Sequence, residues 1–151
     1  MSEKTVGLFG TCGDSRWRED VAIPLLEKAN VSYFNPVVKD WNEEAMKNEA
    51  HHAANDQVIM LVITGETTAI ASMAESGWVA LQCVLTGRSL IVVLEDMPTE
   101  DPALRINKVR NLLRQHISKL PERLISDAAS SVKVFDSVEK GTQAAIDALQ
   151  N

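Results

Sequence analysis

Apolar and polar positions alternate along the chain in blocks that predict strands and helices by turns. The clearest block is Val58–Ile63, a nearly unbroken apolar run of the kind a strand covered on both faces requires. Thr64, Gly65, Glu66, Thr67 and Thr68 break it. An apolar series follows at Ile70, Ala74, Gly77, Leu81 and Val84, whose steps of 4, 3, 4 and 3 hold these residues on one side of a helix. At about 100° per residue, Glu75 falls off that stripe, in line with Ala71, Trp78 and Gln82. An acid one turn into a helix, among Ala74, Ser76 and Gly77, leaves room for a ligand beside it.

The same reading extends in both directions. Thr5–Phe9 predicts a first strand, and Gly10–Ser15 a loop whose two glycines permit tight backbone geometry and whose N–H groups could face an anion. A helix follows, with Trp17, Val21 and Leu25 beside Ala22, Leu26 and Ala29 as its apolar side. Pro24 should kink it or divide it, because proline removes a hydrogen bond and clashes with the preceding turn. Val31–Phe34 predicts the second strand, closed by Asn35 and Pro36, with Asp40 and Trp41 in the loop beyond. Residues 42–54 predict a polar helix, Ser89–Leu94 a fourth strand, and the segment from Ile106 to Leu120 another helix. In that helix Arg105, Lys108, Arg110 and Arg114 read as a solvated basic face. Pro121–Ser131 reads as a short helix or irregular segment, Val132–Phe135 as a fifth strand and Ser137–Leu149 as a closing helix.

Five β–α pairs with right-handed crossovers make an α/β three-layer sandwich around a five-stranded parallel sheet. The flavodoxin-like order 2-1-3-4-5 is the economical one. It sets strands one and three side by side, so that the Gly10–Ser15 loop and the Thr64–Thr68 turn meet at the topological switch point where such sheets bind ligands. Gly10, Asp14, Asn35, Asp56 and Glu75 are then expected around one cleft.

Composition narrows the chemistry. The 151 residues suit a single domain spanning residues 1–151, and 45% hydrophobic residues suit an ordinary core. Fifteen Lys and Arg against 21 Asp and Glu, a net charge of -6, argue against nucleic-acid binding. Two cysteines without zinc-like spacing, no signal-like apolar segment and no membrane-length apolar run suggest a cytoplasmic protein. His51 and His52, adjacent on a helix, point apart and have no third ligand at a metal-like interval, so no metal and no cofactor is expected. The first loop is neither a Walker loop nor a dinucleotide fingerprint, and no GxSxG elbow accompanies the three histidines. A carboxylate can instead attack a sugar's anomeric carbon to form a covalent glycosyl intermediate while a second acid assists the departing base. Glu75 and Asp56 fit those two roles, although either could equally serve in a salt bridge.

The runs GLFGTCGDSRWREDVAIPLL, YFNPVVKDW and VITGETTAIASMAESGWVA resemble the nucleoside 2-deoxyribosyltransferase-like family, especially its small branch with a Gly-Thr-Cys first loop and an FNP segment. The resemblance implies a flavodoxin-like domain acting on a small nucleoside or nucleotide, assembled as a homodimer or larger homo-oligomer, with a neighbouring subunit completing the active site. It implies that Glu75 is the nucleophile and that Asp56 serves in protonation of the leaving base. It further implies that residues 10–17 (Gly10, Thr11, Cys12, Gly13, Asp14, Ser15 and Trp17 among them) surround the sugar or its 5′ group. Asn35, Asp40 and Ser72 complete the candidate contacts. A related group hydrolyses deoxynucleoside 5′-monophosphates, and Gly10, Gly13 and Ser15 with Arg16 or Arg18 could hold a phosphate in that way. Two positions depart from the family: Ala69 stands where transferases carry a second aspartate, and Phe9 where they carry a tyrosine. The alternatives are a binding or sensing domain without catalysis, and a structural oligomer with a vestigial cleft.

Overall fold

A computed structural model describes residues 3–120 and 131–150, so most of the Pro121–Ser131 segment lies outside the described residues. Five strands form one sheet: β1 Glu3–Gly10, β2 Tyr33–Phe34, β3 Asp56–Ile63, β4 Ser89–Leu94 and β5 Val132–Phe135. Their order is β2-β1-β3-β4-β5, and every neighbouring pair is parallel. The expected flavodoxin-like three-layer α/β sandwich is therefore the fold. Phe9 pairs with Leu61 and Gly10 with Val62, so β1 and β3 end together at the carboxyl edge.

The α-helices among the described residues are α1 Ile23–Lys28, α2 Glu43–Asn55, α3 Ile70–Leu85, α4 Ile106–Ile117 and α5 Val138–Gln150. On one face of the sheet, Leu26 of α1 and Val138, Ala145 and Ile146 of α5 pack against Val6, Leu8, Val58, Met60, Ile91 and Val93. On the other, Met73, Ala80 and Cys83 of α3 and Ile106 and Ile117 of α4 cover Ile59, Leu61, Ile63, Leu90, Val92 and Leu94. Alternate residues of β3 and β4 serve opposite faces, which is why both strands are apolar throughout. Helix α2 lies on this second side, where His52 stacks on Phe34 with ring centres 3.8 Å apart, and Phe34 leans on Phe9.

Pro24 is accommodated by a change of helix type. A π-helical turn, Arg18–Ala22, leads straight into α1, so that Pro24 stands just after the wider turn, at the second position of the α-helical part.

Two expectations are corrected. The stripe Ile70, Ala74, Gly77 and Leu81 faces outward, and α3 instead buries Ser72, Met73, Ser76, Ala80, Cys83 and Val84. With Glu75 its single charged residue, α3 is apolar nearly all round, and periodicity alone cannot say which arc meets the sheet. The basic residues of α4 are not all solvated either: Arg110 is fully buried and Arg114 half-buried. All the exposed large hydrophobic side chains among the described residues fall between Val37 and Leu112, on α2, α3, α4 or the loops before them.

Candidate active site

The site begins where β1 stops. Gly10 has φ +118°, and a Cβ there would come within 2.0 Å of the Val62 carbonyl oxygen, so only glycine lets the first loop leave the sheet so close to β3. Thr11 then ties the loop to the next connection. Its N–H donates to Val62 O at 2.8 Å, and its hydroxyl accepts from Thr64 N–H at 3.1 Å. The Trp17 indole N–H donates to Thr11 O at 2.9 Å. Arg18, 1% exposed, donates through Nε to Leu8 O at 3.0 Å and through Nη1 to Thr11 O at 2.7 Å. Its guanidinium carbon lies 4.2 Å from the centre of the Trp17 ring. Burial pushes the pKa of Arg18 down, partly opposed by the nearby Cys12 and by Glu19 and Glu49.

A cavity of about 650 Å³ opens above this loop at the switch point. Phe9 to Gly13 and Arg18 form its floor, and Pro36, Val37, Val38 and Trp41 one side. Thr67 to Ser72 and Glu75 form the other side, and Glu49 of α2 closes the ring. Glu75 is exposed and has no hydrogen bond or ion pair to a described residue. Glu49 is half-buried, and its pKa is raised, first by burial and then by the charge of Glu75, with Arg18 opposing. Two carboxyl groups thus share one cavity, and one of them holds its proton more tightly than usual.

Of the residues singled out from the sequence, Gly10, Thr11, Cys12, Gly13, Ser72 and Glu75 line this cavity. Asp14 is exposed, Ser15 is half-buried, and neither belongs to the lining. Trp17 is 5% exposed and sits in the core beneath the loop, so it anchors the loop instead of facing the cavity. The Asn35 side chain accepts from Val37 N–H at 3.1 Å, a local turn that brings Pro36 to Val38 to the rim. Asp40 lies outside, on a shallow depression beside α2. Arg16 is paired with Asp20 at 2.7 Å, also outside the cavity.

Asp56 is not among the residues that line the cavity with Glu75. It is the first residue of β3, fully buried, with one carboxylate oxygen 2.8 Å from His52 Nδ1. The Asp56 backbone lies at the amino end of β3, but its carboxylate reaches toward the Phe9 ring: a Cβ on Gly7 would stand 2.7 Å from Asp56 Oδ2 and 2.4 Å from Phe9 Cε2, and Phe9 lines the cavity. The sequence reading missed Glu49, which sits in a helix rich in acids. The signal was the spacing of Ala45, Glu49, His52 and Ala53, the inward-turned arc of α2, where two alanines mark the side that meets the protein. Among the described residues no group of three or more His, Cys, Asp or Glu could hold a metal ion, and no helix is long and apolar enough to cross a membrane.

No curated protein and no solved structure matches the chain. A family model described as nucleoside 2-deoxyribosyltransferase like matches residues 3–97, a span that runs from β1 through β4 and contains every residue of the cavity. The chain belongs to the nucleoside 2-deoxyribosyltransferase-like family.

Proposed function

We propose that the protein cleaves or transfers at the N-glycosidic bond of a nucleoside, with Glu75 as nucleophile and Glu49 as the acid and base. The observation that carries this is the carboxyl pair of the cavity: Glu75 without a partner among the described residues, Glu49 with a raised pKa. In this reading the Glu75 carboxylate attacks the anomeric carbon, and the carbon–nitrogen bond breaks with its electron pair going to the base. The base nitrogen takes the proton of Glu49, leaving a glycosyl ester on Glu75. A second base or water, deprotonated by Glu49, then attacks the anomeric carbon and frees Glu75. Trp41 and Phe9 offer flat apolar surface to the base.

An unphosphorylated sugar suits the cavity better than a phosphorylated one. Arg16 is engaged outside it, and the Arg18 guanidinium is directed at the carbonyls of Leu8, Gly10 and Thr11. The Glu75 carboxylate would repel a phosphate.

A second reading, binding without chemistry, is favoured by Ala69 and Phe9, which line the cavity with no side-chain polar atom where transferases carry an aspartate and a tyrosine.

The site is read as belonging to a homodimer or larger oligomer joined through the α2–α4 side. That side carries the exposed apolar residues. It also carries exposed acids on α2 (Glu43 and Glu44) and the exposed Lys108 on α4, charges that two copies could match in opposite order.

Incubation with deoxynucleosides and deoxynucleotides, with and without an acceptor base, tests the reading. Free or exchanged base that disappears in Glu75→Ala, with a glycosyl adduct on Glu75 by mass spectrometry, is the expected result. Saturable nucleoside binding with no base release would support the binding-only reading instead.

A further inference from the structure

The wall of the cavity that leads into α3 is held in an unfavourable conformation. Ala69, the residue before the helix, has φ +48° and ψ 39°, the left-handed region that alanine rarely adopts, and no side chain caps the helix there. Its N–H is satisfied locally by Thr67 Oγ1 at 3.1 Å. Such a turn persists only where its surroundings over-determine it. The surroundings here come from α4. Arg110, 0% exposed, donates through Nη2 to Thr67 O at 2.6 Å and through Nη1 to Glu95 O in the loop after β4. The Glu95 carboxylate in turn accepts from Gly65 N–H at 3.0 Å, and a Cβ on Gly65 would meet Asp96 O at 2.5 Å, so the two loops are in close contact. One guanidinium therefore fastens the turn after β3 to the loop after β4. A lysine, with a single nitrogen on a flexible stem, has no planar fork with which to hold two carbonyls on separate loops.

We propose that Arg110 is a positioning residue for the cavity: by fixing the Thr67 carbonyl it holds the left-handed turn at Ala69 and, through it, the first turns of α3 that present Ser72 and Glu75. The consequence for catalysis rests on the proposed glycosyl chemistry; the consequence for the turn does not. Arg114 is the built-in control, since it donates to Leu94 O at 2.6 Å and to Asp96 without touching Thr67.

Backbone hydrogen exchange on the ligand-free protein reads the first consequence, and steady-state kinetics the second. In Arg110→Lys and Arg110→Gln, amides of residues 65–73 should exchange faster by about tenfold or more while those of β1 and α5 keep their rates. Arg114→Ala should leave residues 67–73 unchanged. Adding Ala69→Asn to Arg110→Lys, a residue better suited to the left-handed region, should restore slow exchange. If base release is found, Arg110→Lys should lower kcat by roughly 10- to 100-fold with a smaller change in KM.

Unchanged exchange at residues 65–73 in both Arg110 variants would overturn the proposal. So would equal loosening by Arg114→Ala, or loss of the whole fold in both Arg110 variants, which would make Arg110 a general support of the structure. An inactive wild type removes the glycosyl reading but leaves the exchange result to decide the role of Arg110.

Discussion

The same substitution, glycine to alanine, should have opposite effects in two helices of this protein. Gly77 lies in the middle of α3, on its outer side, and a Cβ built there meets nothing within 4 Å. Gly141 lies in α5 against the sheet, and a Cβ there would stand 2.3 Å from Val93 Cγ2 and 3.4 Å from Met60 Cε. In a helix interior glycine costs roughly 0.5–1 kcal/mol relative to alanine, because the unfolded chain has more freedom to lose. Gly77→Ala should recover that amount. At about 2–4 °C per kcal/mol for a chain of this size, the melting temperature should rise by about 1–4 °C. Gly141→Ala gains the same helix propensity but forces a methyl into packed side chains, at a cost of about 1–3 kcal/mol. The net effect should be a loss of up to about 2 kcal/mol and a fall in melting temperature of several degrees. Thermal unfolding followed by far-ultraviolet circular dichroism, at concentrations low enough to keep the chain monomeric, measures both. Equal signs for the two variants would refute the packing argument. A destabilising Gly77→Ala in the monomer would mean that α3 is not exposed along that line.

Further predictions concern charge and association. Because the folded protein raises the pKa of Glu49 from its ordinary value of 4.5, the native state favours the protonated carboxyl. That contribution is fully present below pH 4.5 and is lost as pH rises through the raised value. Glu49→Gln should therefore be more stable than wild type at neutral pH and no more stable below pH 4.5, as paired melting curves across pH would reveal; a constant difference would refute the burial argument. Trp78 is 63% exposed on the outer side of α3, and Trp78→Glu should shift the sedimentation coefficient toward the monomer without lowering the melting temperature of that monomer. An unchanged sedimentation profile of a wild-type oligomer would remove α3 from its interface.

The sheet and its switch point were legible because they depend on strand-length apolar runs and turn chemistry, which are local. Ser89–Leu94 and Val132–Phe135 have the expected bounds, and the loop after β1 meets the turn after β3 as the strand order requires. What escaped depends on distance between segments. Asp56 and Glu75 flank the same strand and turn in sequence, yet Asp56 starts β3 behind Phe9 and outside the cavity lining, where its carboxylate meets His52. Glu49 reaches the cavity only because α2 crosses it with the Ala45 and Ala53 side inward. Arg110 resembles any surface arginine until two loops thirty residues apart, holding Thr67 and Glu95, are seen to converge on it. The many apolar residues of α3 hid its orientation for a related reason, since a pattern that is rich everywhere points nowhere.

The π-helical turn fixes the chain length between the first loop and Pro24. Its closing bond runs from Ile23 N–H to Arg18 O, spanning one residue more than an α-helical turn does. Deleting a single residue between Glu19 and Ala22 would permit an unbroken α-helix, yet it would rotate Trp17 and Arg18 by about 100° relative to α1 and carry both away from the Thr11 carbonyl they share. Engineered length changes should thus be well tolerated in the exposed stretch from Asp101 to Leu104 and poorly tolerated here, even though both stretches look equally ordinary in the sequence.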